Sequence, residues 1–105
     1  MKYTCYMYAV EQSKTFKVWL NELRDAFARV RITARLTMAK EGNLGNCRPV
    51  GDGVHEMRIH VGPGYRLYFV HRGERIIFLL LGGNKSSQSR DIKRAKAMAE
   101  GIDKE

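Results

Sequence analysis

Between Gly53 and Gln88 the chain alternates apolar runs with short glycine-bearing breaks, a pattern that predicts three consecutive strands. In the first run, Val54 to Val61, the residues His55, Met57, Ile59 and Val61 fall on one face and Glu56, Arg58 and His60 on the other. One face is therefore expected to be buried and the other to carry charge. The break Val61-Gly62-Pro63-Gly64-Tyr65 has Pro where a type II turn fixes φ and Gly where it needs a positive φ, and His71-Arg72-Gly73-Glu74 reads as a second hairpin turn. The meander is then antiparallel. Ile76 to Leu81 is apolar without alternation, as expected of a core strand covered on both faces.

The N-terminal half reads differently. Tyr3 to Val10 is rich in aromatic and β-branched residues and predicts a strand, followed by helix-start chemistry in which Ser13 or Thr15 would cap. Phe16, Trp19, Leu20, Leu23 and Phe27 then recur at helical spacing and predict a stripe lying on the sheet. After Asp25 the phase slips, so that Ala28, Ile32, Leu36 and Ala39 continue the period about one residue out of step. Two helices, or one sharply bent, are expected, the second ending at Gly42 with Arg24, Arg29, Arg31, Arg35 and Lys40 as a solvated basic face. Residues 41–46 form a loop. A last helix, capped by Ser86 or Ser87, would present Ile92, Ala95, Ala99 and Ile102 to the sheet. The expected architecture is α+β in one domain spanning 1–105: strand, two helices, three strands and a helix, with room for one extra short strand.

A length of 105 residues with 44% hydrophobic content suits a single core. No run of 18 apolar residues occurs, and the N-terminus MKYTCYMYAV alternates where a signal peptide would be continuously apolar, so a cytoplasmic protein without membrane attachment is expected. Cys5 and Cys47 lack metal-ligand spacing and read as free thiols, and neither a metal nor a cofactor is expected. Charge changes the picture more. Nineteen Lys and Arg against eleven Asp and Glu leave a net charge of +8, which favours a polyanionic or acidic partner. The three-strand unit places Arg58, Arg66 and Lys85 on neighbouring pieces of one sheet, and such a cationic cluster suits a phosphate.

Three segments, WLNELRDAFARVRITARL, GNLGNCRPVGDGVHEMRIHVGPGYRLYF and LLLGGNKSSQSRDIKRAKAM, together resemble the addiction-module killer proteins of the RelE/ParE toxin superfamily, in its HigB-like branch. The tandem of GVHEMRI, GPGYR and GGNKSSQ is the most specific part. The resemblance implies a RelE-like fold, with helices packed on a small twisted, mainly antiparallel sheet. It also implies a bacterial toxin encoded beside an antitoxin, usually a helix-turn-helix protein, and acting on messenger RNA in the ribosome.

RNA carries its own nucleophile in the 2′-OH and its own electrophile in the adjacent phosphate. Cleavage then needs a proton acceptor, cations for the pentacoordinate phosphate and a donor for the leaving oxygen. Arg66 aligns with the arginine that related toxins place on the scissile phosphate, and its fork matches two phosphate oxygens. Arg58, eight positions earlier, matches a basic residue of the preceding strand. Lys85 follows the core strand between small residues, where glycines would let backbone approach a substrate, and its ammonium is also a candidate base. His60 shares the predicted face of Arg58, and an ordinary imidazole titrates near neutrality, so it too is a candidate base. Further RNA contacts are expected from Arg48, Arg72, Arg90 and Lys93. His55 and His71 read as structural or solvated. Several toxins of the superfamily carry a late tyrosine or histidine where Ser89-Arg90-Asp91-Ile92 offers neither. Two other functions thus stay open: a gyrase inhibitor that cuts no RNA, and a non-catalytic RNA-binding module.

Overall fold

The computed structural model describes residues 7–103. Its elements run β1 (Ala9–Gln12), α1 (Lys14–Glu22), α2 (Ala26–Lys40), β2 (Cys47–Gly51), β3 (Val54–Ile59), β4 (Tyr65–Arg72), β5 (Ile76–Asn84), a 3-10 turn (Lys85–Ser87) and α3 (Gln88–Asp103). The five strands form one sheet in the order β1-β5-β4-β3-β2. β1 lies parallel to β5 and the remaining pairs are antiparallel, so the sheet is mixed. The α+β class and the antiparallel meander agree with the sequence pattern, and the extra short strand is β2. β1 takes in Ala9 and Val10 of the expected strand and runs on to Gln12, and residues 3–6 of that expectation, Cys5 among them, lie outside the described residues.

The helical half follows its caps. Ser13 Oγ accepts from Phe16 N at 2.9 Å and donates to Leu80 O at 2.6 Å, which starts α1 and ties it to β5. The phase slip is a true break: α1 ends at Glu22, and Asp25 Oδ1 caps α2 by accepting from Ala28 N at 3.0 Å. Phe27 consequently falls on the outside of α2 and is 60% exposed, not on the sheet as the first stripe implied. Ala28, Ile32, Leu36 and Ala39 are buried as expected, and Gly42, at φ 96°, turns the chain out of the helix.

Helices cover both faces of the sheet. Phe16, Ile32 and Leu36 pack with Met57, Ile59, Leu67, Phe69, Ile77 and Leu79 on one side. Val54, Tyr68, Val70, Leu80 and Leu81 meet Ala95 and Ala99 of α3 on the other. The β4–β5 register shifts between Tyr68 and Phe69, so the pairs Phe69↔Leu79 and Tyr68↔Leu81 leave Leu80 as the extra residue. After this bulge Gly82 and Gly83 face opposite layers. A Cβ on Gly82 would come within 2.4 Å of the Trp19 ring, and one on Gly83 within 1.9 Å of Asp91 Oδ2. The glycine pair lets α1 and α3 close on the strand end and does not open backbone to a substrate, contrary to the sequence expectation.

Two further expectations are corrected. Gly64, after Pro63, has the expected positive φ of 81°, but the bonded turn runs one residue earlier than expected: Gly64 N donates to Val61 O at 3.0 Å, and Gly62 ahead of the proline is also left-handed, at φ 55°. The 3-10 turn before α3 is capped by Asn84, which accepts from Ser86 N while Ser87 Oγ answers the Asn84 N–H at 3.4 Å, so Ser86 and Ser87 are not the cap.

Candidate functional site

Antiparallel pairing sets Arg58 of β3 directly opposite Arg66 of β4. Cross-strand neighbours on one face stand about 5 Å apart at Cβ, and like charges there repel. The chain answers with a carboxylate two residues before Arg58. Glu56 is 0% exposed, on the face that was expected to carry charge in solvent; α3 covers it instead. Its Oε1 accepts from Arg48 Nε at 3.0 Å and Arg58 Nε at 3.1 Å. Its Oε2 accepts from Gln88 Nε2 at 2.8 Å and Tyr68 Oη at 3.2 Å, with Arg66 Nε at 3.6 Å.

Burial alone would push the Glu56 carboxyl upward, but the hydrogen bonds from Gln88, Arg48 and Arg58 outweigh it and hold the group below its ordinary value. Burial, and next the adjoining carboxylate, push the Tyr68 phenol far up, so it stands as a neutral donor. Glu56 is thus a fixed negative hub from which Arg48, Arg58 and Arg66 radiate.

The side chain of Arg66 is only 9% exposed; its Nη1 donates to Gly64 O at 3.2 Å, while its buried Nε has no hydrogen-bond partner. Beside it opens a groove of about 530 Å³ lined by Arg58, His60, Tyr65, Arg66, Lys85 and the Gly62-Pro63-Gly64 turn. All four candidate catalytic residues, Arg66, Arg58, Lys85 and His60, therefore border one cavity. Lys85 is exposed at the start of the 3-10 turn. His60 lies one residue past the end of β3, exposed, and its Nε2 accepts from Asn46 Nδ2 at 3.0 Å.

The expected outer RNA contacts divide. Arg48 shares the Glu56 hub from β2, and its side chain remains half exposed. Arg90 and Lys93 are exposed in the first turns of α3. Arg72 does not join them: it closes the opposite end of β4, paired with Glu11 at 3.5 Å and lying over Phe78 at 5.6 Å. It lies six steps along the strand from Arg66, roughly 20 Å.

Two residues escaped the sequence reading. Glu56 was placed on the charged face of the strand, within reach of Arg58, and nothing in the pattern marked it as a buried hub. Arg35, grouped with the solvated arginines, instead crosses from α2 to donate to Arg58 O at 2.6 Å and Leu44 O at 3.0 Å. It fixes the end of β3 and the loop that carries Asn46. The only signal was its position next to buried Leu36 on the helix, which marks a boundary residue without saying what it reaches.

Burial, with His71 next, holds the His55 imidazole below its ordinary value as it stacks on Phe69 at 5.4 Å, and His71 belongs to β4 and not to a turn. Cys47 is a free thiol donating to Leu44 O at 3.0 Å, and burial pushes its pKa up. Among the described residues no three His, Cys, Asp or Glu side chains come together as a set that could hold a metal ion. Among them no helix is long and apolar enough to cross a membrane.

Residues 18–102 match the sequence profile of the family described as Phage derived protein Gp49-like (DUF891). A protein of Haemophilus influenzae, described only as uncharacterized, is 40% identical over 91 residues, covering 87% of this chain and 92% of that protein.

Proposed function

The chain belongs to the Gp49-like family of phage-derived proteins, a family associated with the toxins of toxin–antitoxin modules, and from that premise we propose that it inhibits translation by cleaving messenger RNA on the ribosome. The observation that carries this reading is the convergence of Arg58, His60, Arg66 and Lys85 on one groove. An antitoxin partner is implied by the family.

In the proposed reaction the RNA 2′-oxygen loses its proton and attacks the adjacent phosphorus. The bond to the 5′-oxygen breaks, and that oxygen takes up a proton. The products are a 2′,3′-cyclic phosphate and a 5′-hydroxyl end. The protein's part is to hold the phosphate and to neutralise the charge that grows on its equatorial oxygens. Arg66 suits that role because its guanidinium is held by Gly64 O and the Glu56 hub before any substrate arrives, so little reorganisation is needed. Arg58, anchored on the same carboxylate from the opposite strand, supplies the second guanidinium. Lys85 offers a charge on a flexible stem at the groove's edge. His60 is the groove's imidazole, and its Nε2, unprotonated because it accepts from Asn46, can take a proton once it gives up that bond.

The test is induced expression of the wild type beside Arg66→Ala, with the folding of the variant checked by circular dichroism. Transcripts cut at coding positions by the wild type and intact with a folded Arg66→Ala are expected. Intact transcripts with arrested DNA replication would move the chain to the gyrase-inhibitor class. RNA binding without cleavage or arrest would leave a non-catalytic RNA-binding module.

A further inference from the structure

The segment GGNKSSQ ends β5 and opens α3, and the proposed reaction uses only its lysine. The other residues tie the turn down. Asn84 Oδ1 accepts from Ser86 N at 2.9 Å and from Ser86 Oγ at 2.6 Å. Ser87 Oγ donates to Asp91 Oδ2, and Asp91 is buried against the bare Gly83. Gln88 closes the 3-10 turn and starts α3, and its backbone N–H donates to Lys85 O. Its side-chain Nε2 donates to Glu56 Oε2 at 2.8 Å. One residue therefore holds the backbone of Lys85 with one group and the carboxylate that anchors Arg58 and Arg66 with another.

On the groove side, β4–β5 pairing sets Tyr65 opposite Asn84, so Lys85 begins its turn beside Gly64. A Cβ on Gly64 would lie 3.6 Å from Arg66 Nη1 and 3.9 Å from Lys85 Cβ. The guanidinium and the lysine stem thus flank the same bare α-carbon. Both side chains are cations, and like charges brought to one groove push the turn away from the arginines. The Gln88 amide opposes that push, and its neutrality matters. Glu56 already faces Arg48, Arg58 and Arg66, and an amide ties α3 to it without placing a fourth cation there.

We propose that Gln88 is a positioning residue for Lys85: by tying the 3-10 turn to Glu56 it holds the lysine and the two arginines as one site for a phosphate of RNA. RNA as the occupant rests on the reading above; the positioning of the lysine rests on the bonds alone. With the turn fixed beforehand, a bound phosphate meets the lysine without the entropy cost of ordering its backbone.

The test compares the isotope-labelled wild type with Gln88→Met, which keeps the length of the side chain and removes its donor, with Lys85→Met, and with the double variant. Amide relaxation should show residues 84–87 as rigid as β5 in the wild type and loosened in Gln88→Met, with α3 beyond Asp91 and the strands carrying Arg58 and Arg66 unchanged. The affinity probe is a short single-stranded RNA with 2′-O-methyl groups throughout, which offers no nucleophile and is not cut. Gln88→Met should weaken its binding by about three- to tenfold, and should weaken it no further once Lys85→Met is present. An amide that only supports the fold would lower affinity equally in both backgrounds. That additivity would overturn the proposal, and so would a turn that stays rigid in Gln88→Met. Gln88→Asn, one methylene too short for Glu56, should repeat these results and takes the place of Gln88→Met if that variant does not fold. A wild type that neither binds nor cuts RNA loses the phosphate reading, while relaxation still decides the positioning. One that cuts RNA with a turn indifferent to Gln88 loses only the positioning.

Discussion

The two faces of the sheet are built on different terms. Under α1 and α2 the core is hydrocarbon and ring: Phe16, Ile32, Leu36, Met57, Ile59, Leu67 and Phe69 meet with no charged side chain among them. Under α3 the sheet buries Glu56 and Arg66 alongside Val54, Tyr68 and Leu80, and α3 itself buries Asp91. Burying those charges is costly unless they are paired, and a hydrocarbon face of the same volume would hold the fold at least as well. The difference teaches where the chain gives up stability for geometry. The apolar face fixes the fold; the polar face sets two facing arginines at the mouth of a groove and keeps them there.

Removing the hub should have the largest effect. Glu56→Ala leaves Arg58 and Arg66 facing each other without a counter-charge, and a loss of about 3–5 kcal/mol in urea unfolding is expected, together with loss of RNA cleavage. An apolar-face deletion of similar size should separate the two properties. Ile32→Ala should lower stability by about 2–4 kcal/mol yet leave cleavage per folded molecule unchanged; a parallel loss of activity would erase the contrast between the faces. The pH dependence sharpens it further. Because the folded Glu56 carboxyl sits below its ordinary value near 4.5, its contribution is fully present above that value and is lost as pH falls through the lower folded one. A pH series of unfolding midpoints should show this acid limb in the wild type and a flatter one in Glu56→Gln. Arg72→Ala should do least. Its exposed pair with Glu11 is worth less than about 1 kcal/mol, and at the far end of β4 it should leave RNA affinity and its salt dependence unchanged.

Much of this was legible because it depends on short-range chemistry. Ser13 and the Asp25 phase slip announced two helices, and the Gly62-Pro63-Gly64 and Gly73 turns fixed the antiparallel register that puts Arg58 across from Arg66. What stayed hidden depends on which layer covers which face. Alternation in Val54–Ile59 separates Glu56 from Met57 but does not reveal that α3 will close over the charged side, turning a solvated face into a buried hub. Arg35 looked like its neighbours on α2 because its reach to Arg58 O and Leu44 O spans 23 and 9 residues of chain. The glycines after β5 were visible, but their purpose was not, since Trp19 and Asp91 come from two separate helices. Arg72 shared a strand with Arg66, and only the strand's direction shows that the two sit at opposite ends.

The central claim is that the arginines held by Glu56 form a phosphate clamp that cuts RNA. It is tested most directly by incubating the purified chain, and separately a folded Arg66→Ala, with ribosomes translating a defined message, then mapping the ends of the fragments. The account predicts 2′,3′-cyclic phosphate and 5′-hydroxyl ends with the wild type and a rate lower by about 10²–10³-fold with Arg66→Ala. Fragments with other end groups, or cutting that is unchanged in the folded variant, would contradict it.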